Sequence, residues 1–293
     1  AGVDISRVMT TLTLRPGRPG DADALADICY TAFATLNARH HFPPDFTNRD
    51  VATGLMVFLL GNPNAFSVVA EQGGRIVGSN FLWTGDPIAG VGPITVAHEA
   101  QGGVGRRLME AVLARAAEIG QPNVRLVQSA FNLTSMSLYT KLGFDVREPL
   151  ACMNGKPPAV AFPGYAVRPA TPEDAAACAD LCRRVHGHDR TGDLMGGVAQ
   201  GLAKVVEHGG RIVAYTSDLG FFGHTVAIDN AGLMALIGGA GKINGSGFLL
   251  PSRNGEVFRW CLANGLRVVQ PLTLMSRGLY NEPRGAFLPS ILF

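Results

Sequence analysis

Residues 94–108, Ile-Thr-Val-Ala-His-Glu-Ala-Gln-Gly-Gly-Val-Gly-Arg-Arg-Leu, read as a strand, a Gly-rich turn and the start of a helix. Gly102, Gly103 and Gly105 let the backbone approach a ligand closely. The first turn of a helix leaves N–H groups free, and the helix dipole favours an anion there. Such a turn suits a pyrophosphate; tight packing of strand on helix is the other reading of the same glycines. A second stretch, residues 132–144, runs Asn-Leu-Thr-Ser-Met-Ser-Leu-Tyr-Thr-Lys-Leu-Gly-Phe. Asn132 suits a helix N-cap and Gly143 a left-handed residue past the helix end. Taken alone, Tyr139 reads as a core position of that helix.

Metal chemistry finds little support. His40 and His41 are neighbours in a loop, and His186-Gly-His188-Asp189 is equally short of ligands. The five cysteines (29, 152, 178, 182 and 261) form no CxxC unit, so buried reduced thiols and no metal are expected.

The elements that must carry these residues follow from periodicity. Leu12–Arg15 is a short strand, and Pro19-Gly-Asp21 starts a helix that buries Ala24, Leu25, Ile28 and Cys29. Residues 37–48 are irregular, and Val51–Leu60 is a second helix. Phe66–Ala70 and Arg75–Trp83 form a hairpin about Gly73-Gly74. Gly92–Ala97 is a strand, and Arg106–Ile119 a helix with Leu108, Met109, Val112 and Leu113 on one face. Val124–Ser129 is a buried strand, Thr134–Leu142 a helix, and Phe144–Met153 a pair of strands around Pro149.

The chain then repeats itself. Arg15–Cys29 returns as Arg168–Cys182, with nine of fifteen positions identical at an offset of 153. Gly73-Gly-Arg-Ile-Val77 returns as Gly209-Gly-Arg-Ile-Val213, at an offset of 136. Asn132, Gly143, Val146, Pro149, Leu150 and Met153 return as Asn254, Gly265, Val268, Pro271, Leu272 and Met275, at 122. The falling offset means that the second copy lost residues twice. Pro157, Pro158 and Pro163 mark the join. The expected domains are residues 10–153, a linker over 154–163, and residues 164–293.

Both chemistry-bearing stretches of the first copy resemble the GNAT superfamily of N-acetyltransferases. That family carries a Gln/Arg-x-x-Gly-x-Gly/Ala loop on the pyrophosphate of acyl-CoA and, one strand later, an Asn…Leu-Tyr-x-Lys-x-Gly-Phe segment. Leu138-Tyr139-Thr-Lys141-Leu-Gly143-Phe144 matches the second motif, and Gly103-Val104-Gly105 ends the first. Gln101 stands two residues before Gly103, where the family has three. The resemblance covers about residues 12–153, and the internal repeat extends it to the rest.

The resemblance implies an α/β fold, two tandem copies of a mostly antiparallel mixed sheet flanked by helices. It implies acetyl-CoA as cosubstrate, held by Thr95, Val96, Ala97, Gln101, Gly102, Gly103, Val104, Gly105, Arg106, Asn132, Ser135, Leu138 and Lys141. Tyr139 would give a proton to the leaving CoA thiolate, and a backbone N–H of Ile94–Ala97 would hold the oxyanion. Asp86, His98 and Glu99 stand as candidate bases. His40, His41 and Asp45 fall where the family builds its acceptor pocket. The acceptor would be a small amine or a peptide. A non-catalytic acyl-CoA sensor is the alternative.

The second copy has Cys261 at the place of Tyr139 and no Gly-x-Gly turn opening a helix between Val226 and Ile237. It reads as a structural partner or a wall of the acceptor pocket, the pair mimicking a dimer with its sheets side by side. The apolar stretch Leu279–Phe293 is expected to pack. Composition bounds the rest: 293 residues, 47% hydrophobic and 16% charged, suffice for two cores. A net charge of +2 gives no reason to expect a nucleic acid or a membrane surface. No apolar run of about 18 residues and no leader pattern is evident, so a cytoplasmic protein is expected, as a monomer with an internal pseudo-dimer or as a homodimer.

Overall fold

The computed structural model describes residues 11–100 and 102–292. Each copy opens with the same unit. Strand β1 (Leu12–Pro16) leads through a single 3-10 turn, Pro19–Asp21, into helix α1 (Ala22–Arg39). Strand β8 (Tyr165–Pro169) leads through Pro172–Asp174 into α5 (Ala175–His186). Proline starts each turn, where its missing N–H costs nothing. The aspartate two residues on closes it, accepting from the Arg18 N–H or the Thr171 N–H at 2.8 Å. Arg15 grips Asp21 with two bonds of 2.7 and 2.9 Å and reaches Glu71 at 2.8 Å. Arg168 repeats this on Asp174 (2.7 and 2.8 Å) and Glu207 (2.9 Å). The identical Arg and Asp of the sequence repeat therefore lock strand to helix in both halves.

The repeated Gly-Gly pairs are the two-residue turns of hairpins. Gly73 and Gly74 (φ 57° and 74°) join β2 (Ala65–Gln72) to β3 (Arg75–Trp83). Gly209 and Gly210 (φ 56° and 72°) join β9 (Lys204–His208) to β10 (Arg211–Thr216). Positive φ at both positions is what such turns demand. Helix α2 (Arg49–Gly61), capped by Asn48, packs with α1 against β2 and β3.

The strand expected over Gly92–Ala97 forms only near its end, and a further short strand precedes it. Strand β4 (Ala89–Val91) and β5 (Thr95–Val96) both pair with β3. They are separated by Gly92-Pro93-Ile94, where Pro93 has no N–H to give. Helix α3 (Val104–Glu118), strand β6 (Val124–Ser129), helix α4 (Leu133–Lys141) and strand β7 (Asp145–Asn154) complete the first copy. The expected strand pair around Pro149 is the single strand β7. Pro149 lies just past the last pair of β7 with its outer neighbour β12 (Phe248–Pro251), so its missing donor is not needed.

The second copy continues with α6 (Thr191–Ala199), β11 (Thr225–Ala227), α7 (Asn230–Gly239), β12, α8 (Gly255–Ala263), β13 (Arg267–Arg277) and β14 (Ala286–Leu288). The copies do more than lie side by side; they interleave. The large sheet runs β1-β2-β3-β4-β6-β13-β7-β12, with β13 of the second copy inserted between β6 and β7 of the first. Strands β7 and β13 are equivalents in the repeat, so each copy lends its last long strand to the other. All these pairs are antiparallel except β4 with β6. The smaller sheet runs β14-β11-β10-β9-β8. There β14 takes the edge of β11 that corresponds to the place of β6 beside β4. Ala286, Phe287 and Leu288 are buried, so this part of the apolar C-terminal stretch does pack. Among the described residues, no helix is long and apolar enough to cross a membrane.

Candidate active site

The first copy's sheet splays open at its centre. Strand β4 pairs with β6 only at Ala89–Val124 and Gly90–Arg125, and β5 pairs with β3 alone. The Ala97 N–H donates to the Val77 carbonyl at 2.8 Å. Backbone direction alternates along a strand, so Thr95 also faces β3, while the groups of Ile94 and Val96 face the gap. Of the three predicted backbone ligands Thr95, Val96 and Ala97, only Val96 thus offers its N–H to the cleft. Ile94, which lines the cleft, has no backbone acceptor for its N–H among the described residues.

The Gly-rich turn lies at the mouth of this gap. Gly102 and Gly103 are left-handed (φ 43° and 80°), and a Cβ on either would meet nothing within 4 Å. Gly103 is the N-cap of α3 and has no side chain to occupy the first-turn N–H groups. The first backbone bond of the helix is Arg107 N–H to Gly103 O. The N–H groups of Val104, Gly105 and Arg106 are thereby left for a ligand. The Val104 side chain is core, packed with Leu108 and Met109. The Gly105 hydrogen points towards Leu138 and Val96, 3.6 and 3.8 Å from where a Cβ would stand. The Arg106 side chain pairs with Glu110 at 2.7 Å. Gln101 lies outside the described residues.

At the inner end of the gap, Asn132 caps α4, its Oδ1 accepting from the Ser135 N–H at 3.1 Å. Asn132, Ser135 and Tyr139 all line one cavity of about 810 Å³. Tyr139 is buried; desolvation pushes its phenol up to about 12, with Ser135 hydrogen-bonded to it. Leu138 is half-buried against the core, whereas Lys141 is exposed on the last turn of α4 and does not line the cavity.

The cavity passes through the splay to the side of α1 and α2, where the second copy closes it. Phe33, Asp45, Phe46, Leu55, Phe58 and Trp83 form the wall from the first copy. Gly192, Asp193, Ser217, Asp218, Phe221 and Phe222 form the wall from the second. Two of the proposed bases, His98 and Glu99, are exposed and stand away from it. Asp86 is buried at the join of the copies, where it accepts from the Gly192 backbone and does not line the cavity. Asp45 does line it; Gln270 Nε2 donates to its Oδ1 at 2.8 Å. Burial pushes its carboxyl above the ordinary range. Asp193 is compensated by Arg190 (2.9 Å) and by His224 Nδ1 (2.7 Å). Asp218 accepts from Asn244 Nδ2 at 2.6 Å, and burial raises its carboxyl too.

Gln128 of β6 is a polar residue that sequence reasoning missed, as it missed Asp193 and Asp218. It lines the cavity, is 6% exposed, and neither end of its amide has a partner among the described residues. Its only sequence signal is a glutamine inside an otherwise apolar buried strand. The histidines make no metal site: His40 lies against Phe131, His41 is exposed, and His186 stacks on His188. Among the described residues, no group of His, Cys, Asp and Glu suits a metal.

The corresponding places in the second copy are closed. The α7 helix follows β11, but the Asp229 carboxylate caps it, accepting from the Gly232 N–H at 2.9 Å. The first turn therefore presents a negative charge where α3 presents bare N–H groups. The Gly-rich run 238–241 ends this helix rather than opening it, Gly238 and Gly239 being its last two residues. Gly238 lies against the carbonyl of Val160 in the linker, and β14 fills the edge of β11.

Residues 30–144 match the family model described as the acetyltransferase (GNAT) family. The chain is 34% identical over 143 residues to the mycothiol acetyltransferase of Pseudarthrobacter chlorophenolicus, which covers 45% of this chain and 42% of that one. It thus spans less than half the length of that curated relative. Its fold is similar to a putative acetyltransferase from Pyrococcus horikoshii (TM-score 0.68, 16% identity), covering 94% of this chain and 91% of the other. It is also similar to a tandem GNAT protein from the clavulanic acid biosynthesis pathway (TM-score 0.52, 15% identity), covering 92% and 100%. The matched segment holds the Gly-rich turn, the splay and Tyr139 and is similar to the acetyltransferase (GNAT) family, and the likeness in fold to solved structures runs through both halves.

Proposed function

We propose that the chain transfers the acetyl group of acetyl-CoA to an amine by direct attack within a ternary complex, with the first copy doing the chemistry. The observation that carries this reading is one cavity that runs from the splay at Ile94, past Tyr139, to a chamber on the far side, with the open first turn of α3 beside it against Val96 and Leu138. The α3 N-terminus takes the pyrophosphate through backbone N–H groups. The pantetheine arm follows the gap between β5 and β6, against the Val96 N–H. The amine nitrogen attacks the thioester carbon, and the Ile94 or Val96 N–H holds the oxyanion. The C–S bond then breaks, and the CoA sulfur takes the Tyr139 proton. The proton lost by the amine passes to Asp45 or to water. The second copy supplies a chamber wall and one sheet strand, and binds no acyl-CoA of its own.

The test is a calorimetric titration of acetyl-CoA, followed by an assay for free CoA thiol with an amine panel. One site per chain and amine-dependent thiol release are expected. Two sites would restore a ligand to the second copy. Absence of binding would overturn the acetyl-CoA reading. Binding without thiol release across the panel would favour a sensor.

A further inference from the structure

The chamber beyond Tyr139 carries chemistry that the likeness to the family does not specify. Among the described residues that line it there are three carboxylates, Asp45, Asp193 and Asp218, and no Lys or Arg. Arg190 and His224 already engage Asp193. The other two are held mainly by neutral amides: Asp45 by Gln270, and Asp218 by Asn244. Asp218 has Lys242 as its nearest positive influence, and Asp45 has no cation acting on it. A carboxylate buried against amides alone is costly unless something supplies the missing positive charge.

Aromatic and aliphatic side chains make up much of the rest of the chamber, with neutral polar groups such as Asn62, Asn64, Gln200 and Ser217 among them. Phe33, Phe46, Phe58, Trp83, Phe221 and Phe222 face it, and Phe58 stacks on Trp83 at 6.2 Å. Phe58 and Phe222 remain half exposed at its edge, so the apolar wall continues outwards. Independently, the unspent amide of Gln128 in the same cavity marks the space as one that a polar ligand completes. Its position two residues beyond Leu126 places it on the face of β6 that carries the Tyr139 core.

We infer that the acceptor is an amphipathic cation, a primary ammonium on an aromatic or branched apolar body, held by Asp45 of the first copy and Asp218 of the second. The silent copy then sets acceptor choice. Zwitterionic amino acids and amines carrying phosphate are rejected, because their negative charge would sit against two carboxylates held mainly by neutral amides. This rests on the reading of the chamber as the acceptor site, but not on turnover.

The experiment is a titration of the full chain with three probes of one shape, 4-phenylbutylamine, 4-phenylbutan-1-ol and 4-phenylbutyrate, with and without CoA. The amine is expected to bind at least ~10-fold more tightly than the alcohol, and the carboxylate not at all. Asp218→Asn is expected to erase most of the amine–alcohol difference while acetyl-CoA binding stays unchanged. Asp45→Asn is a second, independent variant with the same expectation. Equal binding of amine and alcohol, preference for the carboxylate, or full retention of the preference in both variants would overturn the inference. Failure of acetyl-CoA to bind the wild type would instead remove the acetyl-transfer reading and leave the probe result standing.

Discussion

Leu274, near the end of the second copy, lies beside Val127 of the first copy in the middle of the large sheet. Strand β13 separates β6 from β7, so no first-copy sheet closes without the second copy. Leu272, Leu274 and Met275 are buried there, each worth about 1.5–3 kcal/mol relative to exposure. A chain ending at Asn154 would leave two unpaired strand edges, a template for aggregation.

Residues 1–154 made alone are therefore expected to give no cooperative monomeric unfolding transition, with co-expression of residues 155–293 restoring it. Gel filtration and thermal melting decide this. A stable monomer from the first half would show that β6 and β7 can pair directly.

Gly105 gives a clean probe of the pyrophosphate site. Gly103 has φ 80°, so any side chain there strains the backbone. Gly105 has an ordinary helical conformation, and a Cβ would sit at normal distances from Leu138 and Val96. Gly105→Ala is expected to fold and bind acetyl-CoA within a few-fold of wild type. Gly105→Asp puts a carboxylate in the first turn, where it suits the helix but repels the ligand. A loss of at least ~10-fold in affinity, about 1.4 kcal/mol, is expected by calorimetry with the melting temperature held. Equal binding by both variants would place the pyrophosphate elsewhere.

The opening unit of each copy was legible because its determinants are local. Arg15, Pro19 and Asp21 act within seven residues, and Arg168, Pro172 and Asp174 repeat them. The Gly-Gly hairpins and the α3 turn were legible for the same reason. Strand exchange was not: Val127 and Leu274 are equally suited to any buried neighbour, and nothing in an apolar run names its partner. The chamber was half legible. Asp45 was placed in the acceptor region, but Asp218, Phe221 and Phe222 reach it only through the packing of one copy on the other. His98 and Glu99 drew attention by adjacency to the turn, and adjacency in sequence did not bring them to the cavity.

Gln128 sets stability against binding. Both ends of its amide are buried without a partner, a cost of about 1–3 kcal/mol. Gln128→Met keeps the length and removes the unmet polar atoms. The variant is expected to melt higher than wild type and to bind acetyl-CoA or the acceptor more weakly. A lower melting temperature with unchanged binding would mean that the amide serves the fold alone.

Tyr139 makes the sharpest demand on pH. Its phenol is raised to about 12 by burial, so the proton-donating form persists throughout the neutral and mildly alkaline range. The acid is lost only as pH rises through that value. With Tyr139 as donor, kcat is expected to show no alkaline fall belonging to this residue below about pH 11, and Tyr139→Phe to lower kcat by ~10²-fold or less. The KM for acetyl-CoA should change little, since the ring and its packing on Phe144 remain. An alkaline limb well below pH 11 that disappears in Tyr139→Phe would show that the phenol ionises in the working site, and so acts as something other than the acid. An unchanged kcat would return Tyr139 to the core that it also serves.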